Sequence, residues 1–209
     1  LLKLLDHPDR FVRYAARLVL ERTDKAGWKD AVLNADFAAT PDRVLTGLLG
    51  LTLDAPSCEE SQAIIARLAT LPAQTMDEGR FLEYMRLVEL AVIRNKCEKP
   101  DYAALTKPLL PALLQRFPSQ DYRVNREMQV LLAYFQEPLA IDPMLEHLTP
   151  DLAQEEQIHT VYCLRAIKEG KVRGTGGKDV AVRADAIHVS KVGAKRPSPR
   201  GCRVPSEAQ

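Results

Sequence analysis

The sequence predicts an all-α fold of stacked helical pairs, on three observations. Apolar residues recur at helical spacing through nearly all of residues 1–169. Similar segments return at repeat-like intervals, and strand patterning is absent before residue 170. Arg10-Phe11-Val12-Arg13-Tyr14 is echoed by Arg80-Phe81-Leu82-Glu83-Tyr84, and Pro8-Asp9-Arg10 by Pro41-Asp42-Arg43. Further matches begin at Arg123 and Gln157, so the anchors 10, 43, 80, 123 and 157 lie 33, 37, 43 and 34 residues apart. One helical pair cannot bury its apolar face alone, and repeats of this length stack on their neighbours as an α-solenoid. The count is about five hairpins, the first incomplete.

The elements follow in order. Leu1, Leu2, Leu4 and Leu5 form one apolar turn, and Asp6-His7-Pro8-Asp9 is a turn with proline set for a helix start. A helix follows over about residues 10–22. Phe11, Val12, Ala15, Ala16, Leu18 and Val19 are its expected buried surface, with Arg10, Arg13, Arg17 and Glu21 mostly outside. Partner helices are expected at roughly 29–39, 58–71, 102–117 and 139–149. Pro108 and Pro111 each remove a backbone donor and should kink or split the helix over 102–117.

The composition fits one globular chain but hides an asymmetry. Its 46% hydrophobic and 27% charged residues argue against a disordered chain, a collagen or a disulfide miniprotein. No run of 18 apolar residues occurs, which argues against a membrane span. Residues 1–169 carry a net charge of −5, and residues 170–209 carry +6 with six of the ten glycines and no Leu, Phe, Tyr or Trp. Such a segment buries too little to offset its ordering entropy. The expected division is a helical array over 1–169 and a basic tail over 170–209, either poorly ordered or a frameshifted or misjoined end. The chain opens without Met and without a basic region before an apolar stretch, so an internal piece of a longer protein is expected.

Asp6, Pro8, Val12, Arg13, Ala15 and Ala16 resemble the turn and second helix of a HEAT repeat, in the armadillo-like helical class. The resemblance implies a polar ladder between neighbouring repeats, with Asp6 and Arg13 at its positions. Thr46 and Glu83 stand where Arg13 would recur, and Arg126 restores the arginine. A narrower likeness joins residues 7–17, 124–134 and 156–170. They resemble the helical-repeat region of large bacterial proteins of the membrane-bound dehydrogenase or haem-binding type. That likeness implies a scaffold between a dehydrogenase-like β-propeller and a C-terminal cytochrome c domain, in a periplasmic or other extracytoplasmic setting. Haem c belongs there to a domain outside this segment. Covalent haem attachment needs Cys-x-x-Cys-His, whereas Cys58, Cys97, Cys163 and Cys202 stand singly with no histidine after them. They are read as buried or free thiols.

No catalytic, cofactor-binding or metal-binding set emerges. Glu156 and His159, at i and i+3, are half of a carboxylate-bridged di-metal site without a second half, so they are read as a surface pair. His7, His147 and His188 are isolated. Gly174-Thr175-Gly176-Gly177-Lys178 lacks the glycine and hydroxyl of a phosphate loop, since Val172 and Asp179 occupy those places; it is read as a flexible linker. Residues 180–189 alternate like a short strand, which is marginal without a partner.

The expected function is therefore a non-enzymatic scaffold or protein-interaction module whose partners are proteins or flanking domains of its own chain, with no small-molecule substrate evident. Solvent-facing Arg17, Arg86 and Arg126 are the candidates for contacting a partner. The alternative is a HEAT-like DNA-binding protein or DNA glycosylase. The −5 charge of residues 1–169 argues against a duplex-binding groove, because phosphate neutralisation dominates such affinity.

Overall fold

A computed structural model of the chain describes residues 1–54, 56–95, 97, 106–173 and 179–183. Among the described residues, those up to 168 are helical wherever they are regular. The α-helices are α1 (Arg10–Leu20), α2 (Lys29–Leu33), α3 (Pro41–Leu53), α4 (Cys58–Ala69), α5 (Glu78–Ile93), α6 (Leu110–Arg116), α7 (Tyr122–Tyr134), α8 (Ile141–His147) and α9 (Gln154–Ala166). Short 3-10 turns at Leu2–Asp6, Lys25–Gly27, Lys107–Leu109 and Pro138–Ala140 precede α1, α2, α6 and α8. Of the helix expected over 102–117, residues 102–105 lie outside the described residues; Pro108 sits in the 3-10 turn and Pro111 in the first turn of α6.

Helix starts follow local chemistry. Asp9, Asp77 and Asp121 cap α1, α5 and α7 by accepting from Phe11 N, Arg80 N and Arg123 N. Pro41 occupies the first turn of α3. At α4 the cap is reciprocal: Ser57 Oγ accepts from Glu60 N at 3.2 Å, and Glu60 Oε2 accepts from Ser57 N at 2.9 Å. Lys25 Nζ donates to the same carboxylate at 2.8 Å. The Lys25 hydrogen bond, then that from Ser57 N, holds the Glu60 carboxyl below its ordinary value of 4.5. A lowered folded value means the stabilisation is full above the unfolded value and is lost as pH falls through the folded one. Glu60→Gln should cost about 1 kcal/mol at pH 7. That gap should close on acidification below the carboxylate range, as read by urea unfolding at a series of pH values.

The second helix of each pair packs on the next: α1 on α3, α3 on α5, α5 on α7, and α7 on α9. Behind them α2 packs on α3 and α4, α4 on α5, and α6 on α7. One continuous core results, with Leu48, Phe81, Tyr84, Met85, Met128 and Leu132 buried along its length. Gly47 lets α2 approach α3, since a Cβ there would lie 2.7 Å from Val32 Cγ2. Polar ties join the later pairs: Gln129 Nε2 donates to Thr160 Oγ1 at 3.0 Å, both buried. Gln136, at φ 55°, donates to Ala166 O at 2.8 Å and accepts from Lys168 N at 3.0 Å.

Three sequence expectations change here. In α1, Phe11, Ala15 and Val19 are exposed rather than buried, and only Ala16, Arg17 and Leu20 are buried along it. Phe11, Ala15 and Val19 lie on the face of α1 that no described helix covers, and Leu1 and Leu4 are exposed as well. Second, Cys58 and Cys97 are not free thiols but a disulfide, with Cα atoms 4.6 Å apart. Cys163 is buried and free, with its thiol pushed up to about 11 by burial; Cys202 lies outside the described residues. Third, the strand read over 180–189 has a partner: β1 (Glu169–Arg173) and β2 (Asp179–Arg183) pair antiparallel, Lys171 opposite Ala181. β1 lies against α8 and the 138–140 turn. The described start of the tail is thus regular, while residues 174–178 and 184–209 lie outside the described residues.

Candidate functional site: a groove across α1, α3 and α5

The two residues assigned to a ladder do not meet each other; each reaches the following pair. Arg13 Nη1 lies 3.9 Å from Asp42 Oδ2 and donates to His7 O at 2.8 Å and Pro8 O at 3.2 Å. Asp6 Oδ2 lies 4.0 Å from Arg43 Nη2. Asp42 is also reached by Arg80, whose Nε donates to Asp42 Oδ1 at 3.2 Å while Nη1 donates to Asp77 Oδ2 at 3.0 Å. Hydrogen bonding to Asp42 raises the Arg80 guanidinium further above its already high value. Asp42, Arg43 and Arg80 were missed as site residues, although the echoed Pro-Asp-Arg turn and the anchor positions 43 and 80 carried the signal.

Of the three arginines read as solvent-facing, the structure overturns one. Arg17 is buried, at 8% exposure; its Nη1 donates to Glu21 Oε1, and its guanidinium stacks 5.2 Å from the Tyr14 ring centroid. Helical geometry turned Arg17 inward because it sits one position after Ala16 and three before Leu20, on the face that meets α3. Arg86 is exposed and donates from Nε to Glu127 Oε1 at 3.1 Å, from α5 to α7. Arg126 is half-buried; its Nε donates to buried Glu156 Oε1 at 2.8 Å. That bond ties up the carboxylate considered as half of a metal site. His159 Nε2 lies 3.3 Å from Arg126 O and 3.5 Å from Cys163 Sγ. Among the described residues no three His, Cys, Asp or Glu side chains gather as a metal site.

His7 Nδ1 accepts from Asp9 N at 3.1 Å, inside the first turn. His147 meets the edge of Phe117 at 5.4 Å, and burial lowers its proton affinity. His188 lies outside the described residues, and Val172 and Asp179 sit in the two paired strands, which is not the strand-to-helix setting of a phosphate loop.

A groove of about 350 Å³ runs across α1, α3 and α5. Leu45 and Leu49 of α3, with Leu87 and Leu90 of α5, give it an apolar floor. Arg10, Arg13 and Arg17 of α1 stand on one wall, and Arg86 of α5 on the other. The groove exists because α3 carries Thr46 where α1 carries Arg13, so a short side chain occupies the middle of three adjacent helices. Glu83 supplies the carboxylate of this lining. Burial raises its carboxyl above its ordinary value, although Arg13 pulls the other way. The groove thus joins Arg17 and Arg86, two of the three arginines singled out from sequence, and leaves Arg126 between α7 and α9.

No family model, curated protein or solved structure matches this chain.

Proposed function

We propose that this chain is a non-catalytic scaffold, an α-solenoid of about five HEAT-like hairpins that spaces flanking protein segments and presents an extended face to a protein partner. The observation that carries the reading is the serial packing of α1, α3, α5, α7 and α9, each on the next. Stacks in which units contact their neighbours in sequence order work by shape and offer long faces for recognition. Ion pairs from one pair to the next, through Asp42, Arg80 and Arg126, support the repeat-like reading. Its placement between dehydrogenase-like and cytochrome c domains rests on the sequence resemblance. The Cys58–Cys97 disulfide supports an extracytoplasmic setting, since such bonds persist where the surroundings are oxidising.

Small-angle scattering on the purified chain tests the shape: an elongated, asymmetric distance distribution is the expected result, and a compact symmetric one would overturn it. A DNA titration tests the competing reading. Tight duplex binding that falls steeply with salt, as phosphate neutralisation requires, would replace the scaffold with a nucleic-acid-binding protein.

A further inference from the structure

We propose that the groove across α1, α3 and α5 docks an acidic peptide segment of a protein partner, one in which a large apolar side chain is flanked by carboxylates. This rests on the scaffold reading and names the chemistry of the partner.

Charge is the first support. Four guanidinium groups line the groove against the single carboxylate of Glu83, in a stretch of chain whose net charge is −5. The arginines divide into two kinds. Arg13 and Arg17 are held in place, by the His7 and Pro8 carbonyls and by Glu21, with side chains 20% and 10% exposed. Their positions are fixed at no further ordering cost, and since each already pairs with a carboxylate, Asp42 and Glu21, the attraction falls to Arg10 and Arg86. Arg10 is exposed, and Arg86 is 57% exposed, in a solvent-facing pair with Glu127. An exposed pair of that kind contributes little, so a carboxylate from a partner exchanges for Glu127 readily and gains the forked geometry that arginine offers.

The floor is the second support. Leu49 and Leu90 are half-buried and face the groove between the arginine walls. A volume of about 350 Å³ lies at the lower end of the range for ligand sites and suits a few side chains of an extended peptide rather than a folded domain. Phosphate would also pair with the arginines. A nucleic acid strand, however, needs aromatic rings on which successive bases stack, and Tyr14 is the single aromatic lining this groove.

The test uses the whole chain with its disulfide intact and three fluorescein-labelled probes: a hexapeptide of alternating glutamate and leucine, its lysine–leucine counterpart, and oligothymidylate. Fluorescence anisotropy should show the glutamate peptide binding at least tenfold tighter than either other probe. Arg10→Glu with Arg86→Glu should weaken it at least tenfold, and so should Thr46→Arg, which fills the groove. Arg22→Glu with Arg123→Glu makes the same charge change on exposed residues outside the groove and should leave binding unchanged. The first double variant alters exposed positions only, so it carries the test if Thr46→Arg fails to fold. Binding that ignores both groove variants, equal affinity for the lysine peptide, preference for oligothymidylate, or no binding of any probe would each overturn the proposal. If that failure comes with an elongated scattering profile, the peptide site falls and the scaffold stands. A compact profile removes the scaffold itself.

Discussion

Replacing Cys58 and Cys97 together by serine should lower the stability of the folded chain by about 4 kcal/mol, the loop-closure entropy expected for a bridge of this span. The two residues are 39 positions apart, one at the start of α4 and the other beyond the end of α5. The bond closes the third helical pair on itself, so in the unfolded chain it removes conformations that span two whole helices. Urea unfolding of the double variant beside the parent measures the effect, with a large fall in midpoint at nearly unchanged slope as the expected form. An unchanged midpoint would mean that the bridge does not form in the folded protein. The paired replacement is preferred to added reductant because it leaves Cys163 untouched. That thiol is buried and held up to about 11, so it should resist alkylation until the chain unfolds.

Arg116→Ala should be nearly as damaging, at about 3 kcal/mol. The side chain is only 13% exposed and closes the end of α6 onto the turn before α5. Its Nη1 donates to Met76 O at 2.6 Å and to Ala73 O at 3.1 Å, and its Nη2 lies 3.1 Å from Glu78 Oε1. The guanidinium carbon stacks 4.0 Å from the centroid of the buried Phe81 ring. Removing it strips a charged donor from two carbonyls of buried residues, and each orphaned group costs on the order of 1–3 kcal/mol. Arg116→Lys keeps the charge but loses the flat fork and the stacking face, so it should recover less than half of the loss. Thermal and urea unfolding of the two variants check this. Arg86→Ala provides the contrast: its exposed ion pair should be worth under about 1 kcal/mol. An Arg116→Ala loss no larger than that of Arg86→Ala would refute the argument.

The helical pairs were legible because their signals are local. Periodicity and the Pro8 and Pro41 turns depend on neighbours within one turn of chain, and the structure places elements at 10, 41, 78, 122 and 154, close to the echoed anchors. What failed depended on which face meets which neighbour. Phe11, Ala15 and Val19 read as core by hydrophobicity, yet that face of α1 lies away from α3. Arg17 read as surface by charge, yet it lies on the face that packs. The Cys58–Cys97 pairing was invisible for the same reason, since nothing in the spacing says that the start of α4 and the segment after α5 converge. The groove was half legible: Thr46 was noticed as a departure from the Arg13 pattern, but a departure becomes a hollow only when α1 and α5 stand on either side of it.

The serial packing of the second helices has a consequence for how the molecule comes apart. When each unit is held mainly by the units before and after it, opening need not be all-or-none. Pairs away from the disulfide can then open while the bridged pair persists. The disulfide sits in the third of the five pairs, so the most constrained unit is also the most central. Amide exchange should then grade outward from α5 in both directions. A single melting temperature would describe an average over units of unequal resistance.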